Sequence, residues 1–209
     1  MNPTSYKPRK PEEFIGPAKD LAVVLERIAK RAGRSGEAIK ILIRGEPGIG
    51  KSALAEGFVE GLGANKWTVT KLNGTQLKVE TIDDWAGRLC FRELYGNYRV
   101  LWIEEVDKVN AFVQARMLSL LDDLPDHVAV VCTSNKEVKD FEPRFQSRFQ
   151  VFCLKPPAAE EIKWLLKKFG LRKDDINRIA NFCCGNVRLA LFDAQSALDE
   201  LAAWKGTSI

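Results

Sequence analysis

Between an apolar, strand-like run and a helix-forming segment lies Gly45-Glu46-Pro47-Gly48-Ile49-Gly50-Lys51-Ser52. No other stretch constrains the fold of this 209-residue chain as strongly. It fits G-x-x-x-x-G-K-[ST], a pattern whose chemistry is phosphate binding. Ile39, Ile41, Leu42 and Ile43 precede it and read as a short buried strand. Ser52-Ala53-Leu54-Ala55-Glu56 follows, with helix-forming composition. The glycines let the backbone turn tightly, so that successive N–H groups converge on phosphate oxygens. The start of the helix adds unpaired N–H groups and the positive end of its dipole. In that setting Lys51 neutralises charge on the outer phosphates and the Ser52 hydroxyl ligates Mg²⁺. Nucleotide binding is the expectation.

Strand and helix patterns alternate around this junction up to about residue 155. Strands are predicted at Ile39–Ile43, Trp67–Leu72, Val100–Ile103, His127–Cys132 and Val151–Leu154. Val100-Leu101-Trp102-Ile103 is continuously apolar, as strands covered on both faces are. Helices are predicted before the first strand, with Leu21, Val24, Leu25 and Ile28 on one face, and over about Ile82–Leu94 and Asn110–Leu121. In the second of these, Trp85, Leu89 and Cys90 point inward, and Tyr95-Gly96-Asn97 ends it. Arg31–Glu37, with Gly33 and Gly36, reads as a loop, and residues 1–13 as an extended arm. Beyond Lys155-Pro156-Pro157 the periodicity is only helical: Glu160–Phe169, Lys173–Cys183 and Val187–Trp204. That order implies a parallel five-stranded α/β domain over 1–155 and a small all-helical domain over 156–209.

Composition excludes little but is consistent with this. Hydrophobic content is 45% and charged content 29%, ordinary for a globular chain. No apolar run approaches about 20 residues, so no membrane partner is expected. The start of the chain lacks an apolar signal core, and five cysteines without one suggest a reducing, intracellular setting. Cys90, Cys132 and Cys153 read as core filler, and His127 as structural. Net charge is +4. Residues 1–44 hold ten Lys/Arg against five acids, so the basic excess lies at the front. This permits contact with a polyanion such as DNA without showing it.

Ligands of open parallel sheets bind beyond the carboxyl ends of the strands. Glu104 and Glu105 end the third strand there. One carboxylate can hold Mg²⁺, and the other can orient or deprotonate an attacking water. Asn73 ends the second strand and Asn135 the fourth, and an amide near the outermost phosphate can position that water.

These residues resemble AAA+ ATPases, and within them the clamp-loader-like group typified by the small subunits of replication factor C. Gly45–Ser52 matches the Walker A motif, and the resemblance gives Glu46 through Ala53 to the nucleotide. Ser5-Tyr6-Lys7-Pro8 with Phe14-Ile15-Gly16 resembles the segment that flanks the adenine, which implies roles for Tyr6, Phe14, Ile15 and Gly16. Val100–Glu105 is similar to Walker B, with Glu104 on the metal beside Ser52 and Glu105 catalytic. Thr133-Ser134-Asn135 is similar to sensor 1, and Gly185-Asn186-Val187-Arg188 to sensor 2, with Arg188 contacting ATP. Asn73 falls where the family has a polar switch partner for the catalytic glutamate. Ser147-Arg148-Phe149 resembles the segment whose arginine reaches the neighbouring subunit's ATP, with Arg144 a weaker candidate. The resemblance therefore implies ATP and Mg²⁺ as cofactors, and a homo- or hetero-oligomeric ring or arc built through Arg148. Two features depart from the group. Glu104 stands where Asp is usual, and no collar domain follows the lid near Trp204.

Three functions follow from the resemblance. The first is an ATPase that loads or remodels a DNA-bound partner in replication or repair. Lys108, Arg116 and Arg88 then face the ring interior, or are simply solvated. The second is a protein remodeller or branch-migration motor, for which Trp85 or Tyr95–Tyr98 would be a gripping aromatic. The third is a nucleotide-dependent scaffold with little turnover, favoured by Glu104.

Overall fold

A computed structural model describes residues 2–89, 98–136 and 143–206. Strands β1 (Ile39–Arg44), β2 (Val69–Asn73), β3 (Arg99–Glu104), β4 (Val128–Ser134) and β5 (Gln150–Cys153) form one parallel sheet in the order β2-β3-β4-β1-β5. The expected five-stranded parallel sheet is present. β1 lies between β4 and β5, so the glycine-rich loop leaves the sheet one strand in from the β5 edge. The carboxyl ends of β3 and β4 lie to one side of it.

The continuous apolar run of β3 is explained by burial on both faces. Val100 and Trp102 pack with Ile41, Ile43 and Val131 beneath α1 (Gly16–Ser35) and α2 (Lys51–Gly61). Leu101 and Ile103 pack with Leu42, Val130 and Cys132 against α3 (Val79–Leu89) and α4 (Ala111–Asp122). Each such Leu, Ile or Val removed from water contributes about 1.5–3 kcal/mol. The short α5 (Pro143–Gln146) precedes β5. Helices α6 (Ala159–Lys167), α7 (Lys173–Phe182) and α8 (Val187–Gly206) enclose a third apolar cluster around Ile162, Leu166, Ile179 and Ala190. Ile15, from the segment before α1, joins this third cluster. Among the described residues no helix is long and apolar enough to cross a membrane.

Several expectations need correction. Arg31–Glu37 is not a loop throughout, because α1 continues to Ser35. Its buried face runs on through Ile28, Ala29 and Ala32, and that packing outweighs the roughly 1 kcal/mol cost of Gly33 inside the helix. Gly36, at φ 71°, then ends it, donating its N–H to Ala32 O at 2.8 Å. The arm is not extended throughout: Pro3–Ser5 and Pro11–Glu13 form 3₁₀ turns. Between them Arg9 reaches across to Glu56 on α2 at 2.7 Å. Cys153 is exposed, because β5 is a sheet edge, whereas Cys132 is buried as expected. Trp85 is 7% exposed and belongs to the core, so it is not a gripping aromatic. Tyr98 is also buried, its hydroxyl donating to Glu37 O at 2.7 Å. Cys90 and the break at Tyr95-Gly96-Asn97 lie outside the described residues. His127 sits in the turn before β4, accepting from Arg99 N and donating its own N–H to Gly36 O.

Candidate nucleotide-binding site

A cleft of about 770 Å³ opens where the glycine-rich loop, the strand ends, the N-terminal arm and α8 meet. Of the residues expected at the site, Tyr6, Phe14, Ile15, Pro47, Gly48, Ile49, Gly50, Lys51, Ser52 and Ala53 line it. So do Asn73, Glu104, Glu105, Asn135 and Arg188, which arrive from four other elements. Gly16, Glu46 and Arg148 are not in the lining.

The loop is shaped by close approach. Gly48 has φ 80°, and a Cβ there would collide with the side-chain amide of Asn186. Its carbonyl accepts from Arg188 N at 3.0 Å. The loop before α2 is thus joined to the start of α8, where Asn186 Oδ1 caps the helix by accepting from Leu189 N at 3.0 Å. Lys51 is buried, and its Nζ donates to Gly45 O at 2.8 Å and Glu46 O at 2.7 Å. Glu46 thus bears on the cleft only through Lys51, whose ammonium its carbonyl holds. Burial first, and the nearby Arg188 second, push the Lys51 pKa down to about 8. An anionic ligand in the cleft would favour the charged ammonium.

Glu105 adopts a left-handed backbone conformation, φ 53°, immediately after β3. Its Oε2 accepts from Asn73 Nδ2 at 3.0 Å and from Lys108 Nζ at 2.7 Å, and its Oε1 from Asn135 Nδ2 at 3.4 Å. The Asn73 hydrogen bond, then that of Lys108, holds its carboxyl below the ordinary range. Asn135 is fixed by donating its own N–H to Asp107 Oδ1 at 3.1 Å. Asn73, Glu105 and Asn135 are therefore brought together as the sequence expects. Lys108 does not project freely, since it pairs with Glu105, and Arg116 pairs with Asp83 at 2.6 Å.

Glu104 and Ser52 supply hard oxygen donors to the same cleft. Among the described residues no group of three His, Cys, Asp or Glu could hold a metal. That donor set fits Mg²⁺, which is bound through one or two carboxylates plus substrate phosphates rather than a protein cage. Arg148 is placed elsewhere. Its Nε and Nη2 donate to Asp122 at 2.9 and 2.8 Å in a bidentate pair.

Sequence reasoning missed several lining residues. Phe192 and Leu191 lie one helical turn beyond Arg188 and Val187 on α8, a spacing that could have found them. Glu13, Glu56 and Leu165 carry no sequence signal toward the cleft.

Residues 41–157 match the family described as "ATPase family associated with various cellular activities (AAA)". No curated protein matches the chain significantly. Among solved structures it is similar to the Thermotoga maritima RuvB Holliday junction branch migration motor, at 22% identity and TM-score 0.75, over 95% of this chain and 67% of that one. A variant of the same RuvB aligns with TM-score 0.79 at 21% identity. A DNA polymerase III gamma subunit-related protein from Thermotoga maritima aligns with TM-score 0.67 at 18% identity, over 87% of this chain and 60% of that one. Identities this low show a shared fold.

Proposed function

Because this chain belongs to the AAA family of ATPases, we propose that it binds ATP with Mg²⁺ in the cleft and hydrolyses it within a ring or arc acting on a DNA-bound partner. The observation that carries this reading is the convergence of Lys51, Glu105, Asn73 and Asn135 on one cleft from four separate segments. The backbone from Gly48 to Ala53 cradles the phosphates, and Lys51 offsets their charge. Tyr6, Phe14 and Ile15 wall the adenine end. Ser52 and Glu104 hold the metal, which when bound neutralises developing charge on the phosphate oxygens. Glu105 orients and deprotonates the attacking water, assisted by Asn135. Arg188 contacts the same nucleotide, while Arg148 serves a neighbouring copy. Residues 1–155 form the nucleotide-binding domain, and 156–209 the helical lid.

The role on DNA is supported by the basic excess of residues 1–44 and by the fold shared with the gamma subunit-related protein. A second reading, a branch-migration motor, is supported by the RuvB alignments, which span 95% of the chain. Phosphate release measured without DNA, with primed DNA and with a four-way junction separates them, run beside a mass measurement with and without ATP. Stimulation by primed DNA supports the first reading and stimulation by the junction the second. Tight ATP binding with negligible turnover points to a scaffold. Failure to retain Mg²⁺–ATP at millimolar concentration refutes all three.

A further inference from the structure

Glu104, the carboxylate assigned above to the metal, already has a cation beside it. Lys71 Nζ lies 3.2 Å from Glu104 Oε1. The parallel register of β2 and β3 sets Lys71 opposite Trp102 and Asn73 opposite Glu104. Side chains two residues apart on a strand share a face, so these four lie on one side of the sheet. It is the side covered by α2, because Trp102 packs in one cluster with Leu54, Ala55 and Phe58. Lys71 Nζ also sits 3.8 Å from the centre of the Trp102 ring. That cation–π contact steers the lysine stem along the strand toward the carboxylate.

Two cations that approach one carboxylate compete for it. The identity of residue 104 sharpens this. Glutamate carries one methylene more than aspartate, which lets its carboxylate reach sideways to the neighbouring strand. We propose that Lys71 is a resident competitor of the divalent cation at Glu104, and that it sets the metal concentration at which nucleotide is held tightly. The proposal rests on the reading of Glu104 as the metal ligand. Lys71 acts through Glu104 and is therefore a positioning residue. The two side chains are 46% and 26% exposed, so solvent screens the pair and a divalent cation can displace the lysine. Pairs of this kind correspond to roughly two- to fivefold in an equilibrium constant. Lys71 thus tunes the metal requirement without blocking the site.

The test uses Mn²⁺ in place of Mg²⁺, the full chain and a non-hydrolysable ATP analogue, with free Mn²⁺ read by electron paramagnetic resonance. Lys71→Met and Lys71→Gln keep much of the stem and remove the charge, while Lys71→Arg keeps the charge. The half-saturating Mn²⁺ concentration should fall about two- to fivefold in both neutral variants and stay at the wild-type value in Lys71→Arg. In a Glu104→Asp background, where the carboxylate draws back, Lys71→Met should change nothing further. An unchanged or raised half-saturation in the neutral variants overturns the proposal, as does the same shift in Lys71→Arg. Wild-type protein that binds no Mn²⁺–nucleotide at all overturns the underlying function instead, and the Lys71 proposal with it.

Discussion

Asn73 Nδ2 donates to Glu105 Oε2 at 3.0 Å, across the carboxyl ends of two adjacent parallel strands. The contact depends on a tight approach beneath it. Gly74 lies against the Glu105 carbonyl so closely that any Cβ would collide with it. With Lys108 and Asn135 also donating, the carboxylate is restrained by three side chains. In the role proposed for it, Glu105 is a poor proton acceptor while its anion is stabilised in this way, since general bases work best with a pKa near the operating pH. The geometry thus describes a glutamate held back. Asn73→Ala should raise ATP turnover in the absence of DNA by about two- to tenfold, because with Lys108 and Asn135 still donating the loss is that of an ordinary net hydrogen bond, roughly 0.5–1.5 kcal/mol. The ratio of stimulated to basal phosphate release should shrink. A fall in turnover at unchanged ATP affinity would instead make Asn73 a water-positioning group.

Arg148 is poised differently. Its bidentate pair with Asp122 keeps the guanidinium ordered away from its own cleft, and fork-to-carboxylate pairs are geometrically specific. The role proposed for it is in a neighbour's site. Arg148→Ala should leave nucleotide affinity within a factor of two and lower turnover by roughly 10³–10⁵-fold, the range for arginine fingers. Mixing Arg148→Ala with Lys51→Ala subunits should restore measurable phosphate release. Equal loss of binding and turnover in Arg148→Ala, read by fluorescent-nucleotide titration beside the rate assay, would remove the role.

How far the sequence reached follows from which interactions are local. The phosphate loop is contiguous, so its strand, glycines, Lys51 and Ser52 are legible together. Glu104 and Glu105 are legible as the end of an apolar run. The lysine beside Glu104 is not, because Lys71 meets it only through the β2–β3 register, and register is a property of two distant segments. The exposure of Cys153 is not legible for the same reason: that β5 forms an edge is set by strand order, which local pattern does not contain. The end of α1 was obscured by Gly33, a helix breaker in isolation, although the Ala29–Ala32 spacing carried the buried face onward.

Asp175 offers a pH-dependent check on the helical unit. It is 7% exposed in the first turn of α7, accepting from Arg172 Nε at 2.9 Å and Arg178 Nη2 at 3.2 Å. The Arg172 hydrogen bond, against opposing burial, holds its carboxyl below the ordinary value of 3.8. A depressed carboxyl stabilises the fold fully above the unfolded-state value, and that contribution is lost as pH falls through the lower folded value. Both arginines are largely exposed, so screening limits the effect to about 1 kcal/mol, including the favourable helix N-terminus. Asp175→Asn should therefore melt below wild type at pH 7, with the difference shrinking below about pH 4. A difference that is constant down to pH 2 would assign the effect to packing.

Gly48 tests the junction between the phosphate loop and α8. An alanine at φ 80° costs about 1–2 kcal/mol in backbone strain alone. Here the new methyl would also strike the Asn186 amide, which is fixed by capping α8. Gly48→Ala should therefore destabilise by more than the strain, and weaken ATP-analogue binding by displacing the Arg188 N–H that Gly48 O now accepts. Asn186→Ser keeps a capping oxygen on a shorter side chain. Added to Gly48→Ala, it should recover the steric share and leave the strain, so the two substitutions should couple by roughly 0.5–3 kcal/mol in urea unfolding. Strict additivity would show that the collision is relieved by movement of α8 as a whole, and binding should then remain weak in the double variant.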